Sequence, residues 1–347
     1  MSPMALSTDL RGAAAPDPRR PHPDVTAVSG DRGVMAGSGR GSGSASGKAI
    51  LFGEHAVVYG QPAIALPVTA LTVHADAQRT TGRSRLHSDL YRGALEDAPS
   101  DLLPTATAAR AALAAFAGDG DGVDLRIRSD VPAQRGVGSS AAVAAAVVAA
   151  VAAAFDAPLD DERHHDLVQI AERAAHGTPS GLDARAVRAQ APIWFHAGSV
   201  ATVPVGAPLT FVIADTGVRG RTDRAVAGVR ALRDREPARI DGLIERLGAL
   251  STAARDDIAA GDVVALGAGM TRAHALLGDL GVGDASLDRL VGAAREAGAA
   301  GAKLTGGGRG GCILALAADA AHGARLADAL RAAGATDVWI TTVEKTR

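Results

Sequence analysis

The segment that most restricts how this chain can fold is Asp130-Val-Pro-Ala-Gln-Arg-Gly-Val-Gly-Ser-Ser-Ala-Ala142. Before it, Val123, Leu125 and Ile127 alternate with Asp124, Arg126 and Arg128, which predicts a half-buried strand over 123–129. After it, an alanine-rich run predicts a helix over 139–155. The chain must therefore pass from strand to helix through a loop with two close glycines and two serines. Backbone N–H groups at Gly136, Val137, Gly138, Ser139 and Ser140, with the positive end of the helix dipole, would make an anion site. Glycine lets backbone approach phosphate closely, and a serine hydroxyl can reach an accompanying magnesium ion. The same residues also describe an ordinary capped helix after a glycine turn, because serine is a good N-cap. This segment alone leaves both readings open.

The alanine-rich run, 141–155, is short for a membrane span, which needs about 20 strongly apolar residues. A buried helix is the expectation. Residues 1–44 are rich in Ala, Gly, Ser, Pro and Arg without a sustained period and lack a basic-then-apolar secretion layout. They read as a disordered leader. Strands are expected over 63–75, 193–196, 209–215, 312–317 and 337–343. Helices are expected over 105–117, 160–175, 223–235, 240–260, 262–277, 286–297 and 318–333. This mixture is α+β rather than a regular βαβ repeat. A chain of 347 residues suits two domains of roughly 150 residues. Gly206-Ala-Pro208 is the expected boundary, giving domains over 45–206 and 207–347.

Charge and composition remove several functions. A net charge of -2 argues against a nucleic-acid partner. The single cysteine, Cys312, has no partner in the chain, which fits a reducing cytoplasm. Lysine occurs only at Lys48, Lys303 and Lys345 among 36 basic residues; either each marks a place where a compact ammonium is wanted, or codon bias toward arginine accounts for the scarcity.

Three further segments carry candidate chemistry. In Gly47-Lys-Ala-Ile-Leu-Phe-Gly-Glu-His-Ala-Val-Val-Tyr-Gly60, a lysine opens an apolar strand and a glycine turn presents Glu54 and His55. In Glu172-Arg-Ala-Ala-His-Gly-Thr-Pro-Ser-Gly-Leu-Asp183, Glu172 lies near a helix C-terminus, where the dipole disfavours a carboxylate. The turn after it would hold Asp183 on a fixed loop. Two such carboxylates can divide labour, one binding metal and one taking a hydroxyl proton; a structural turn with a capping Asp fits as well. In Lys303-Leu-Thr-Gly-Gly-Gly-Arg-Gly-Gly-Cys312, five glycines surround one arginine before a buried strand. Such a run is entropically costly unless backbone passes close to a ligand or another backbone.

Some apparent motifs fail. Gly47-Lys48 lacks the first glycine and the final Ser or Thr of a Walker A loop. The run 306–311 fits GxGxxG, but a strand follows where a dinucleotide fold needs a helix. His164, His165 and His176 lack zinc-motif spacing and are expected at the surface.

Taken in order, GKAILFGEHAVVYG, PAQRGVGSSAA, HGTPSGLDA and KLTGGGRGGC resemble the signatures of the GHMP kinase superfamily. GEHAVVYG and the spacing from Glu172 to Asp183 are most similar to those of mevalonate kinases. The resemblance runs from about Gly47 to the C-terminus. It implies a ribosomal-protein-S5-like N-terminal domain, a ferredoxin-like C-terminal domain, and a cleft between them that binds ATP, Mg2+ and mevalonate. It also implies a soluble cytoplasmic enzyme, as a homodimer. By the same resemblance Asp183 takes the acceptor hydroxyl proton, and Lys48 stabilises the alkoxide and the transferring phosphoryl charge. Ser140 and Glu172 hold the metal, and Ser129 joins the phosphate loop in contacting ATP. Glu54, His55 and Thr222 belong to the substrate pocket. Another GHMP kinase, acting on phosphomevalonate, a sugar or homoserine, is the alternative. Two positions depart from the family pattern: Gln134 and Arg309 stand where members usually carry glycine.

Overall fold

The computed structural model describes residues 39–177, 179–220 and 222–346. Its elements in chain order are β1 (Arg40–Phe52), β2 (Ala63–Thr81), β3 (Arg85–His87), β4 (Arg92–Ala94), α1 (Leu103–Phe116), β5 (Asp121–Ser129), α2 (Ser139–Ala154), α3 (Asp161–His176), α4 (Leu182–Ala186), β6 (Ile193–His196) and β7 (Ser199–Thr202). There follow β8 (Leu209–Asp215), α5 (Thr222–Arg235), α6 (Pro237–Ala260), α7 (Val263–Asp279), α8 (Ala285–Glu296), β9 (Gly301–Thr305), β10 (Cys312–Ala317), α9 (Ala320–Ala332) and β11 (Asp337–Val343).

Two mixed layers result, as the α+β expectation required. A seven-stranded sheet runs β4-β3-β5-β2-β6-β7, with β1 also paired to β2. A four-stranded antiparallel sheet runs β11-β8-β10-β9. Alternation along β5 places Val123, Leu125 and Ile127 in the first core and leaves Arg126 and Arg128 exposed. The helix after the glycine loop, α2, is buried along most of its length against β1 and β2. No helix among the described residues is long and apolar enough to cross a membrane.

Three expectations need correction. Residues 1–38 lie outside the described residues, but the leader expected to end at 44 is already strand at Arg40. Its register with β2 runs from Arg40 opposite Gln78 to Ser44 opposite His74. Composition misleads here because the alternate glycines face a helix backbone. A Cβ on Gly41 would sit 2.3 Å from the Ala150 carbonyl oxygen, and one on Gly43 would sit 2.2 Å from that of Ala146. What resembles a flexible linker is a strand with its side chains removed to admit α2.

His164 is buried rather than at the surface, its Nε2 2.9 Å from the Ala145 carbonyl oxygen, which ties α3 to α2. Burial pushes its pKa down to about 4. Finally, β9 was not foreseen. The glycine run is a loop between two buried antiparallel strands, not the approach to one.

Candidate active site

The phosphate-type loop, the end of β1, the N-termini of α4 and α5 and the β9–β10 loop surround a cleft of about 340 Å³. Its lining includes Lys48, His55, Gly136, Gly138, Ser139, Ser140, Glu172, Asp183 and Thr222. Residues far apart in sequence thus converge on one space.

Lys48 sits at its floor. Its backbone N–H donates to the Val137 carbonyl at 3.0 Å, joining β1 to the loop. Its ammonium lies 3.1 Å from Asp183 Oδ1 and 3.3 Å from the Gly136 carbonyl oxygen. The lysine side chain is 3% exposed and that of Asp183 36%, so the carboxylate opens to the cleft while the ammonium supports it from below. Gly138 makes room for this lysine: its φ is 80°, and a Cβ there would lie 2.7 Å from Lys48 Cγ. Asp183 is fixed by a tight turn, since Gly181 has φ 90° and the Leu182 N–H donates to Ser180 Oγ at 3.3 Å.

Ser140 opens α2 and donates to Glu172 Oε1 at 2.7 Å. Burial raises the pKa of Glu172, and the neighbouring negative charge of Asp183 raises it further. Two carboxylates gathered beside a hydroxyl oxygen are a donor set suited to a hard divalent cation.

The opposite wall holds His55 and Thr222. His55 has φ 61°, and its Nε2 is 2.9 Å from the Gly307 carbonyl oxygen. Burial lowers its pKa, so the ring is neutral near pH 7 and Nε2–H donates to that carbonyl. Gly307 and Thr222 touch closely enough that a Cβ on Gly307 would fall 2.6 Å from Thr222 Oγ1.

Other expected site residues stand apart from the lining. Glu54 is fully buried behind the cleft and forms an ion pair with Lys303. Ser129 turns its hydroxyl to the Val131 carbonyl at 3.2 Å. Val137 is buried, contributing its carbonyl to Lys48. The two departures from the family pattern both adopt left-handed backbone, with φ 59° at Gln134 and 56° at Arg309, the conformation that favours glycine. Gln134 lines the cleft, and its carbonyl accepts from the Gly220 N–H at 3.0 Å. Arg309 points elsewhere, donating through Nε to the Gly281 carbonyl at 3.2 Å.

Gln169, Ser180 and Arg135 line the cleft without having been singled out, and His176, dismissed above as a metal ligand, lines it too. Gln169 and His176 flank Glu172 on one face of α3, at spacings of three and four residues, a pattern the sequence does carry. Ser180 lies in the turn before Asp183. Arg135 lies inside the loop itself and pairs with Asp215 of β8 at 2.8 Å. Only the fold reveals that pairing.

Comparison with known proteins agrees with this geometry. The chain matches the models for the GHMP kinases N terminal domain over residues 105–188 and the GHMP kinases C terminal domain over 254–336. A mevalonate kinase of Thermococcus sibiricus is 34% identical over 311 residues, covering 84% of this chain and 92% of the relative. The chain belongs to the mevalonate kinase family. The Pyrococcus abyssi mevalonate kinase is likewise 34% identical, covering 87% of this chain and 95% of the relative. Among solved structures, L. major mevalonate kinase in complex with R-mevalonate superposes with a TM-score of 0.78 and 27% identity. That match covers 88% of this chain and 96% of the other. Membership of the mevalonate kinase family makes this chain an ATP-using kinase.

Proposed function

We propose that this chain transfers the γ-phosphoryl group of ATP to the C5 hydroxyl of (R)-mevalonate, yielding ADP and 5-phosphomevalonate. The observation that carries this reading is the Lys48–Asp183 pair at 3.1 Å, set between the loop at 136–140 and the wall formed by His55 and Thr222. Loop amides and the N-terminus of α2 bind the nucleotide phosphates. Asp183, more exposed than its partner, accepts the hydroxyl proton as the acceptor oxygen bonds to the γ-phosphorus and the bond to the β-phosphate oxygen breaks. Lys48 places a fixed positive charge beside the developing alkoxide and phosphoryl oxygens.

Ser140 and Glu172 are the residues that would hold Mg2+, which when bound neutralises phosphate charge. Among the described residues, Lys48 and Arg135 are the lysine and arginine in the lining, and each already faces a carboxylate. We place the domain boundary at Gly206, between β7 and β8. A cytoplasmic homodimer accords with the family resemblance and with a buried, unpaired Cys312.

ADP release measured with mevalonate, homoserine, galactose and phosphomevalonate tests the reading. Turnover of mevalonate is expected, and its absence alongside turnover of another alcohol overturns the assignment. Asp183→Asn should lose at least roughly 10²-fold in kcat, the scale of a positioned base. A change of only a few-fold would remove Asp183 from that role.

A further inference from the structure

The end of β1 and the turn after it are fastened to β9 and the loop after it by a set of polar links. The Ile50 N–H donates to Thr305 Oγ1 at 2.9 Å, and that hydroxyl donates back to the Ile50 carbonyl at 3.0 Å. His55 Nε2 reaches the Gly307 carbonyl at 2.9 Å. Between these, Lys303 of β9 pairs with Glu54, both side chains being fully buried. Lys303 also donates to the Leu304 carbonyl at 2.7 Å, while Glu54 Oε2 is buried without a hydrogen-bond partner. Burial pushes Glu54 up and Lys303 down, and each charge counters the shift of the other.

A buried ion pair is a poor source of net stability, because desolvation offsets the attraction and packed apolar residues do as well. This one sits where orientation is demanding. The turn bends through φ 96° at Gly53 and φ 61°, ψ −43° at His55, and a histidine with so strained a positive φ persists only if its surroundings hold it. Glu54 is the residue between them.

We propose that Lys303 is a positioning residue for the acceptor alcohol: through Glu54 it fixes the strained turn that carries His55 into the cleft wall. Lys303 does not line the cleft, so its action is indirect. The inference rests on the proposed placing of the acceptor against His55. A turn released from Lys303 would loosen that wall and leave the phosphate loop in place.

The test uses the full chain and the matched neutral variant Glu54→Gln/Lys303→Met, with steady-state kinetics for both substrates and thermal unfolding. The double variant should melt close to the wild type. Its KM for mevalonate should rise about tenfold or more, the scale of a sub-ångström to ångström misplacement, with KM for ATP nearly unchanged. A double variant that melts and binds mevalonate like the wild type would show the pair to be dispensable for the acceptor site and overturn the proposal. If the double variant does not fold, Glu54→Asp decides. It keeps the charge but withdraws it by one methylene, and the same KM split is expected; an unchanged KM for mevalonate overturns the idea. Wild-type protein inert toward mevalonate would instead sink the functional reading, and the split is then measured on whichever alcohol it does phosphorylate.

Discussion

Lys48 fits its place by shape as much as by charge. Its stem crosses Gly138, where even a Cβ would crowd it at 2.7 Å, and its ammonium ends between a carbonyl and a carboxylate. A guanidinium is wider and planar, with no room to present its fork. Lys48→Arg should therefore lose at least about tenfold in kcat/KM, and activity near normal in the same ADP-release assay would remove the argument for a compact charge. Lys48, Ser140, Glu172 and Asp183 were legible because each lies in a segment whose composition is odd for ordinary structure. The partner of Glu54 was not, because Lys303 lies 249 residues away and leaves no local trace. Ser129 is a nucleotide contact by resemblance alone, and its hydroxyl is taken up by its own turn, which the sequence does not display.

At the level of elements, the packing of β1 on α2 makes a sharp prediction. Gly43→Ala would press a methyl group toward a helix carbonyl, and overpacking of this kind costs about 1–3 kcal/mol. Urea unfolding should show that loss, whereas Gly242→Ala, in α6 with open space around it and ordinary helical backbone, should not. The α2–α3 contact adds a pH dependence. Between pH 6.5 and about 4 the unfolded chain takes up a proton at His164 that the folded chain refuses. Stability is thus full above pH 6.5 and falls as the pH drops, by at most about 3 kcal/mol from this group. His164→Gln should show a smaller fall between roughly pH 7 and pH 5; an identical fall would place the acid sensitivity elsewhere. Strands 193–196, 209–215, 312–317 and 337–343 were legible to the residue, because their apolar runs end at turn residues. By contrast β2 was predicted only to 75, since it continues to Thr81 through Asp76, Gln78 and Arg79. Pairing with β5, not periodicity, holds that polar half in place.

In the molecule as a whole, β1 of the first sheet and the loop joining β9 to β10 of the second both line the cleft, so a nucleotide that binds there reports on the folded state of each. ATP with Mg2+ at about 100 times its dissociation constant should stabilise the protein by about 2.7 kcal/mol, seen as a raised melting temperature. Asp183→Asn should retain that shift and Ser140→Ala should reduce it; equal shifts in both would separate Ser140 from nucleotide binding. The α+β class was legible from the order of elements. The position of β9 was not, because Lys303 and the glycines hide a buried strand inside what looks like a loop.

The scarcity of lysine has a practical outcome at this scale. Lys48 and Lys303 are buried in and behind the cleft, and Lys345 alone among the described lysines meets solvent. Among the described amines, an amine-acylating reagent at limiting dose should therefore mark Lys345 while leaving Lys48 untouched. The chain can be tethered to a sensor surface through Lys345 with both substrates free to enter.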